Sequence, residues 1–242
     1  MTVAVIAILA LATLIRSAFG FGEALIAVPL LALLIPVEIA APTAALVSIT
    51  VAAAVILQDW AEIDRPAALR LVLATLAGIP VGLLLLTRAP EALVKGGLAA
   101  IIMGFAVFSL ARHRAQSLPD DRFAWLFGAV AGVLGGAYGM NGPPLVVYGT
   151  FRGWSPTQFR ATLQGYFLPA STVGMAGYWL AGLWTPPVTR YYLLSLPAVA
   201  LAIVAGRALN RRINPQRFFR VIYAGLIVVG AVLLAQALRR LL

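Results

Sequence analysis

Cysteine is missing from this chain and histidine occurs once, as His113. Disulfides and thiolate metal sites are therefore excluded, and the redox compartment leaves no trace. His113 falls in the polar stretch "ARHRAQSLPDDR", where a solvated side chain is expected rather than a ligand or a general base. Charge is scarce too: 11% of the 242 residues are charged and 62% are hydrophobic. A soluble domain is about 25% charged and roughly half apolar. Too little polar surface exists here to cover a globule, so the chain is expected to be an all-α polytopic membrane protein. A cleaved signal peptide over residues 1–18 is not expected, because apolar segments recur to the C-terminus and no small-residue cleavage site precedes a polar mature domain.

Acidic residues are the scarcest charged class, 8 against 18 Lys and Arg, for a net charge of +10. Nucleic acid is not the expected partner. The basic residues cluster in short links between apolar segments, as the positive-inside rule requires.

Apolar segments lie at about 3–35, 39–57, 69–87, 93–111, 124–151, 157–182, 190–208 and 217–238. A spanning helix needs roughly 20 residues. The first and fifth are too long for one span, and each is interrupted by glycine: "SAFGFGEALIAVPLL" (17–31) and "LGGAYGMNGPPLVVYG" (134–149). The halves resemble each other. Gly20 and Gly22 fall opposite Gly139 and Gly142, Pro36 opposite Pro156, Pro66 opposite Pro186, and Arg70 opposite Arg190. After a small insertion Pro90 matches Pro215 and Lys95 matches Arg220. The expected organisation is a first membrane repeat over 1–111, a polar connecting loop over 112–122 and a second membrane repeat over 123–242. Duplicated halves with paired interruptions mark secondary transporters.

Basic charge orients the halves. If every segment crosses once, Lys and Arg divide 8 against 9 between the two faces, Arg16 at the break set aside. If each broken segment returns to its own side as a re-entrant hairpin, the division is twelve against five, which satisfies the positive-inside rule. Each half then makes three full crossings, so the two repeats are inverted and both termini lie outside the cytoplasm.

A broken helix at membrane depth leaves backbone groups without partners, each costing several kcal/mol in hydrocarbon, so protein or a water-filled cavity must cover it. Pro143 suits the first position of a half-helix, "PPLVVYGTF", because its missing donor would have been an orphan there; Asn141 or Gly142 can supply the cap. At the first break Gly22 stands near the cap of "GFGEALIAVPLLALL". Helix N-termini carry free donors and partial positive charge, a ready site for an anion. Two of them meeting near the bilayer centre favour a small oxyanion. The backbone around Gly20, Phe21 and Gly22 and around Gly139, Asn141, Gly142, Pro143 and Pro144 is the expected binding surface.

Intramembrane charges are costly and usually functional. Arg16 can bind an oxyanion, balance Glu23, or snorkel to an interface. Glu23, in the first turn of a half-helix, is stabilised there by the dipole as a carboxylate, or it carries a coupling proton. In "WSPTQFRATLQGYFLP" (154–169), Ser155 reads as a cap and Pro156 as the first helical residue. Arg160, Gln164 and the region of Phe167–Leu168 then share a face, with Gln164 placed to donate to an anion. Thr43 and Ser48 are the matching polar groups of the first half. Trp and Tyr at 178–192 read as an interfacial belt.

At "GFGEALIAVPLL" (20–31) and "GAVAGVLGGAYGMNGPPLVVYG" (128–149) the sequence resembles the TauE/SafE family of membrane permeases, the sulfite and organosulfonate exporters, and the resemblance covers essentially the whole chain. It implies transport of small sulfur-containing anions such as sulfite or sulfoacetate across the bacterial inner membrane, driven by an ion gradient. The function expected on both grounds is secondary transport of a small anion by alternating access. Arg16 and Gln164 assist the backbone donors, and Glu23 serves coupling. An anion channel or a non-transporting membrane scaffold is the alternative. An enzyme is not expected, given the lack of cysteine, of a buried histidine and of an acidic metal cluster. The expected partners are the bilayer, a small anionic substrate, a coupling proton or sodium ion, and a second copy of the chain in a homodimer. No cofactor and no metal are expected.

Overall fold

A computed structural model describes residues 1–59, 62–111, 121–210 and 215–239. Ten helices and no strand occur among the described residues. They are α1 (Thr2–Phe19), α2 (Glu23–Ala32), α3 (Val37–Asp59), α4 (Arg65–Arg88), α5 (Glu91–Leu110), α6 (Phe123–Tyr138), α7 (Gly142–Phe151), α8 (Pro156–Leu180), α9 (Pro186–Asn210) and α10 (Pro215–Arg239). The eight expected apolar segments become ten helices because the first and fifth each divide at their glycines. Most of the polar loop expected over 112–122, His113 included, lies outside the described residues.

Six helices among the described residues are long and apolar enough to cross a bilayer: α1, α3, α4, α5, α9 and α10. The chain is a multi-pass membrane protein. At 25 residues α8 is long enough to cross but is more polar, carrying Gln164, Ser171 and Thr172 along its length.

Prolines open the helices in pairs. Pro36 precedes α3 and Pro156 begins α8; Pro66 sits in the first turn of α4 and Pro186 begins α9; Pro90 caps α5 and Pro215 begins α10. Each stands where its missing N–H leaves no hydrogen bond unmade. Ser155 also caps as expected, its Oγ accepting from Gln158 N at 3.2 Å.

Helices α4 and α6 run parallel and nearly touch along their backbones. A Cβ on Gly128 would meet Leu71 O at 2.5 Å, one on Gly132 would meet Thr75 O at 2.4 Å, and one on Gly136 would meet Ile79 O at 2.3 Å. Such a seam admits only glycine, the small-residue contact by which membrane helices pack without a hydrophobic driving force. Thr75 adds a hydrogen bond across it, its Oγ1 lying 2.9 Å from Gly128 O. The ends of α1 and α9 meet where a Cβ on Gly206 would strike Leu14 O at 2.7 Å and Ser17 Cβ at 2.6 Å.

The pair α5 and α10 is antiparallel: Gly96 faces Ala237, Gly230 faces Met103, and Phe105 stands edge-on to Tyr223. So is α3 with α8. Ser48 meets Ser171 at 3.2 Å, while Asp64, just beyond α3, donates its N–H to Thr162 Oγ1 at 3.0 Å.

Two ion pairs share Asp121. Asp121 binds Arg70 at 2.6 Å and Arg152 at 2.8 Å, tying the start of α4 to the end of α7. Trp154 Nε1 donates to Asp64 at 3.2 Å beside them. Lys95 and Glu91 pair at 3.0 Å and share a groove with residues 32–36, Gln236 and Arg239. The expected aromatic belt holds only in part: Trp179 and Trp184 are exposed, but Tyr178 is buried, its hydroxyl donating to Gly135 O at 2.6 Å.

Candidate functional site

Gly20 ends α1 with φ 87° and Gly22 caps α2 with φ 98°. Both lie in the left-handed region that an L side chain enters at a cost of about 1–2 kcal/mol. Two such residues around Phe21 turn the chain back on itself. Thr13 Oγ1 and Glu23 Oε1, ten residues apart, are 3.5 Å from each other, whereas ten residues of straight helix span about 15 Å. The second break uses one such glycine. Gly139 ends α6 with φ 63°, its N–H bonding Gly135 O at 2.8 Å and the N–H of Met140 bonding Leu134 O at 3.2 Å.

Around the first break a charge is sealed in. Arg16 and Glu23 form an ion pair, their side chains 2% and 1% exposed. Arg16 does not snorkel; it balances Glu23. The same Nη1 donates to Ser48 Oγ at 2.7 Å, and Nη2 donates to Gln164 Oε1 at 2.8 Å. The guanidinium carbon lies 4.7 Å from the Phe167 ring centre, a cation–π contact. Gln164 continues the chain of bonds, its Nε2 donating to Gly20 O at 2.7 Å. Gln164 thus positions both Arg16 and the first break. Arg16 Nε is buried and has no hydrogen-bond partner among the described residues.

Both breaks face one small cavity of about 20 Å³, room for about one water. Arg16, Phe21, Gly22, Glu23, Ser48, Gly139, Asn141, Gly142, Pro143 and Phe167 line it, with Ala24 and Leu25 at the start of α2. Of the sequence-derived site residues, Gly20, Pro144 and Gln164 do not line it: Gly20 and Gln164 stand behind Arg16, and Pro144 is buried within α7. Gly142, not Pro143, is the first residue of α7, and Asn141 holds the cap position without a side-chain capping bond. Its amide turns instead toward Tyr166, 3.4 Å from the hydroxyl. Thr43 bonds Ile39 O within its own helix and takes no part. Ala24 and Leu25 were missed, because they contribute the backbone donors of a helix start, for which apolar side chains carry no signal. Ser171 was missed as well; its one hint is a small polar residue on the same helix two turns beyond Gln164.

No group of three or more His, Cys, Asp or Glu among the described residues can hold a metal ion. What the arrangement offers is an ion pair, Arg16 with Glu23, buried between two helix breaks and flanked by the neutral side chains of Ser48 and Gln164.

A polytopic all-α protein with two interrupted helices around a buried intramembrane ion pair has features found in membrane transporters. The chain belongs to the sulfite exporter TauE/SafE family, whose profile matches residues 5–234. It is a membrane transporter and not an enzyme. It is similar to a probable sulfite/organosulfonate exporter TauE of Cupriavidus necator, 26% identical over 239 residues that cover 96% of this chain and 93% of that one. No solved structure matches.

Proposed function

We propose that this protein is a secondary transporter of small oxyanions, sulfite or an organosulfonate such as sulfoacetate, across the bacterial inner membrane. It works by alternating access and draws on an ion gradient through Glu23. The single observation that carries the anion reading is Arg16, a buried guanidinium at a cavity that both helix breaks line. Family membership and the name of the C. necator relative support the same substrate class.

Helix directions support an inverted arrangement of the halves. Since α4 follows α3 after the link 60–64, the two cross in opposite senses. Helix α8 is antiparallel to α3, so α8 and α6 both run with α4 and α7 between them runs back as a re-entrant helix. The Thr13–Glu23 contact supports the same return of α2 along α1. In this topology twelve basic residues share one face and five the other, and the first is cytoplasmic. Alternating access then consists of one half rocking against the other around Arg16.

The test is flux in vesicles reconstituted with the full chain. Saturable uptake of sulfite or sulfoacetate, abolished in Arg16→Ala, is expected. Movement of neutral or cationic solutes with no oxyanion flux would sink the reading, and flux that never saturates would favour the channel alternative. Cysteines placed at positions 2 and 117 should be labelled from opposite sides of the membrane.

A further inference from the structure

The candidate site already contains an anion, and it is covalently part of the chain. Glu23 occupies Arg16 Nη1 together with Ser48, while Gln164 occupies Nη2. The cavity beside them is about 20 Å³, room for about one water, whereas a sulfonate group alone brings a sulfur and three oxygens. The space beside the guanidinium therefore admits an oxyanion only if one of the groups now bound to Arg16 moves aside. Gln164 is held at its other end by Gly20 O, 2.7 Å away, and Ser48 by Ser171 at 3.2 Å. Glu23 is the acceptor that duplicates the incoming charge. Two anions on one buried cation leave a net negative charge in a low-dielectric site, which is far more costly than a neutral pair.

We propose that Glu23 is a tethered stand-in for the substrate. An arriving oxyanion displaces the carboxylate from Arg16, and the released carboxylate takes one proton from the aqueous phase then open to the site, becoming a carboxylic acid. This rests on the oxyanion reading given above. Charge balances at each stage: Arg16 with ionised Glu23 is neutral, and Arg16 with a bound monoanion and protonated Glu23 is neutral too. When the anion leaves, the proton leaves with it and the carboxylate returns to Arg16. One monoanion therefore moves with one proton, in whichever direction the gradients dictate.

The side chains shown around the displaced carboxylate, among the described residues, offer it no second cation. Thr13 faces it from α1, Ser48 and Gln164 share its partner Arg16 from α3 and α8, Asn141 lines the same cavity from the second break, and all four are uncharged. Arg160 is the other guanidinium at this break, but its stem lies across Gly20 and it has an interaction of its own. Arg16 Nε, buried and without a partner among the described residues, joins Nη1 as a donor for the oxyanion once Glu23 has moved.

The experiment is calorimetric titration of methanesulfonate, which stays ionised throughout, into the purified full chain at one pH in two buffers of different ionisation enthalpy. The wild type should take up about one proton per anion bound, and its affinity should fall about tenfold for each unit rise in pH, as linkage to one proton requires. Glu23→Gln, which imitates the protonated acid, should bind methanesulfonate at least as tightly, with no proton uptake and no pH slope. If that variant does not fold, the two-buffer comparison and the pH slope of the wild type still decide. Methanesulfonate binding to the wild type without proton uptake overturns the proposal and leaves the oxyanion reading standing. Unchanged proton uptake in folded Glu23→Gln overturns it as well. Failure of methanesulfonate to bind overturns the proposal, and if vesicles also show no oxyanion flux, the underlying reading falls with it.

Discussion

The two helix breaks share a backbone design and differ in chemistry. Each ends a helix on a left-handed glycine, Gly20 or Gly139, and starts a ten-residue helix three residues later. At the first, Arg16 precedes the turn and Glu23 follows it, and Glu23, Ala24 and Leu25 offer the free backbone donors of a helix start. Counted from the left-handed glycine, which sets Gly142 opposite Glu23 and not Gly22, the second break has glycine at both corresponding places, Gly135 and Gly142, and two of its first three helical residues are prolines with no N–H to offer. Pro143 therefore walls the cavity instead of donating into it. The neighbours differ as well. Arg160 lays its flexible stem across Gly20, while Ala41 presses a backbone carbonyl against Gly139. One break is built to hold charge and the other to hold shape.

This contrast can be broken experimentally, and the largest effect is expected at the charged break. Arg16→Ala should abolish transport and cost about 3–5 kcal/mol of stability, because it strands the Glu23 carboxylate without a cation. Thermal unfolding of Arg16→Ala/Glu23→Ala should recover most of that loss while flux stays absent. The second effect compares the glycines. Both Gly20→Ala and Gly139→Ala pay the left-handed cost of about 1–2 kcal/mol. At Gly20 the new Cβ meets Arg160 Cγ at 2.6 Å, an atom that can swing away, but at Gly139 it meets Ala41 O at 2.8 Å, which cannot. Gly139→Ala should therefore melt at the lower temperature, and the reverse order would refute the assignment of shape to the second break. The smallest effects are polar. Gln164→Leu removes bonds to Arg16 and Gly20 and should weaken anion binding by about 1–3 kcal/mol. Asn141→Ala loses one long bond to Tyr166 and should change affinity by no more than about 1 kcal/mol.

The breaks were readable in the sequence because glycine and proline mark backbone geometry directly. So was the helix start at Ser155–Pro156, whereas the other paired prolines registered only as matches between the halves and their place at helix starts came with the structure. Arg16 and Glu23 stood out because charge inside an apolar run has few innocent explanations. Other parts could not be read that way. The bond from Gln164 to Gly20 joins residues 144 apart in the chain, and nothing in local pattern brings them together. The bend of Asn141 toward Tyr166 instead of its own helix is likewise a tertiary outcome. The glycine seam was present but went unread: Gly78 and Gly82 on one helix, and Gly128, Gly132 and Gly136 on the other, recur every fourth residue, the spacing of close helix contact.

The separation of these contacts along the chain bears on how the protein is made. During synthesis α1 and α2 emerge long before α8 and α9, so Arg16 waits for Gln164 until 148 further residues have been added. Arg16 and Glu23 are only seven residues apart and can close on each other within the first hairpin. The nascent segment thus cancels its own charge before any later helix arrives, and the insertion machinery meets an electrically silent hairpin in place of two bare ions.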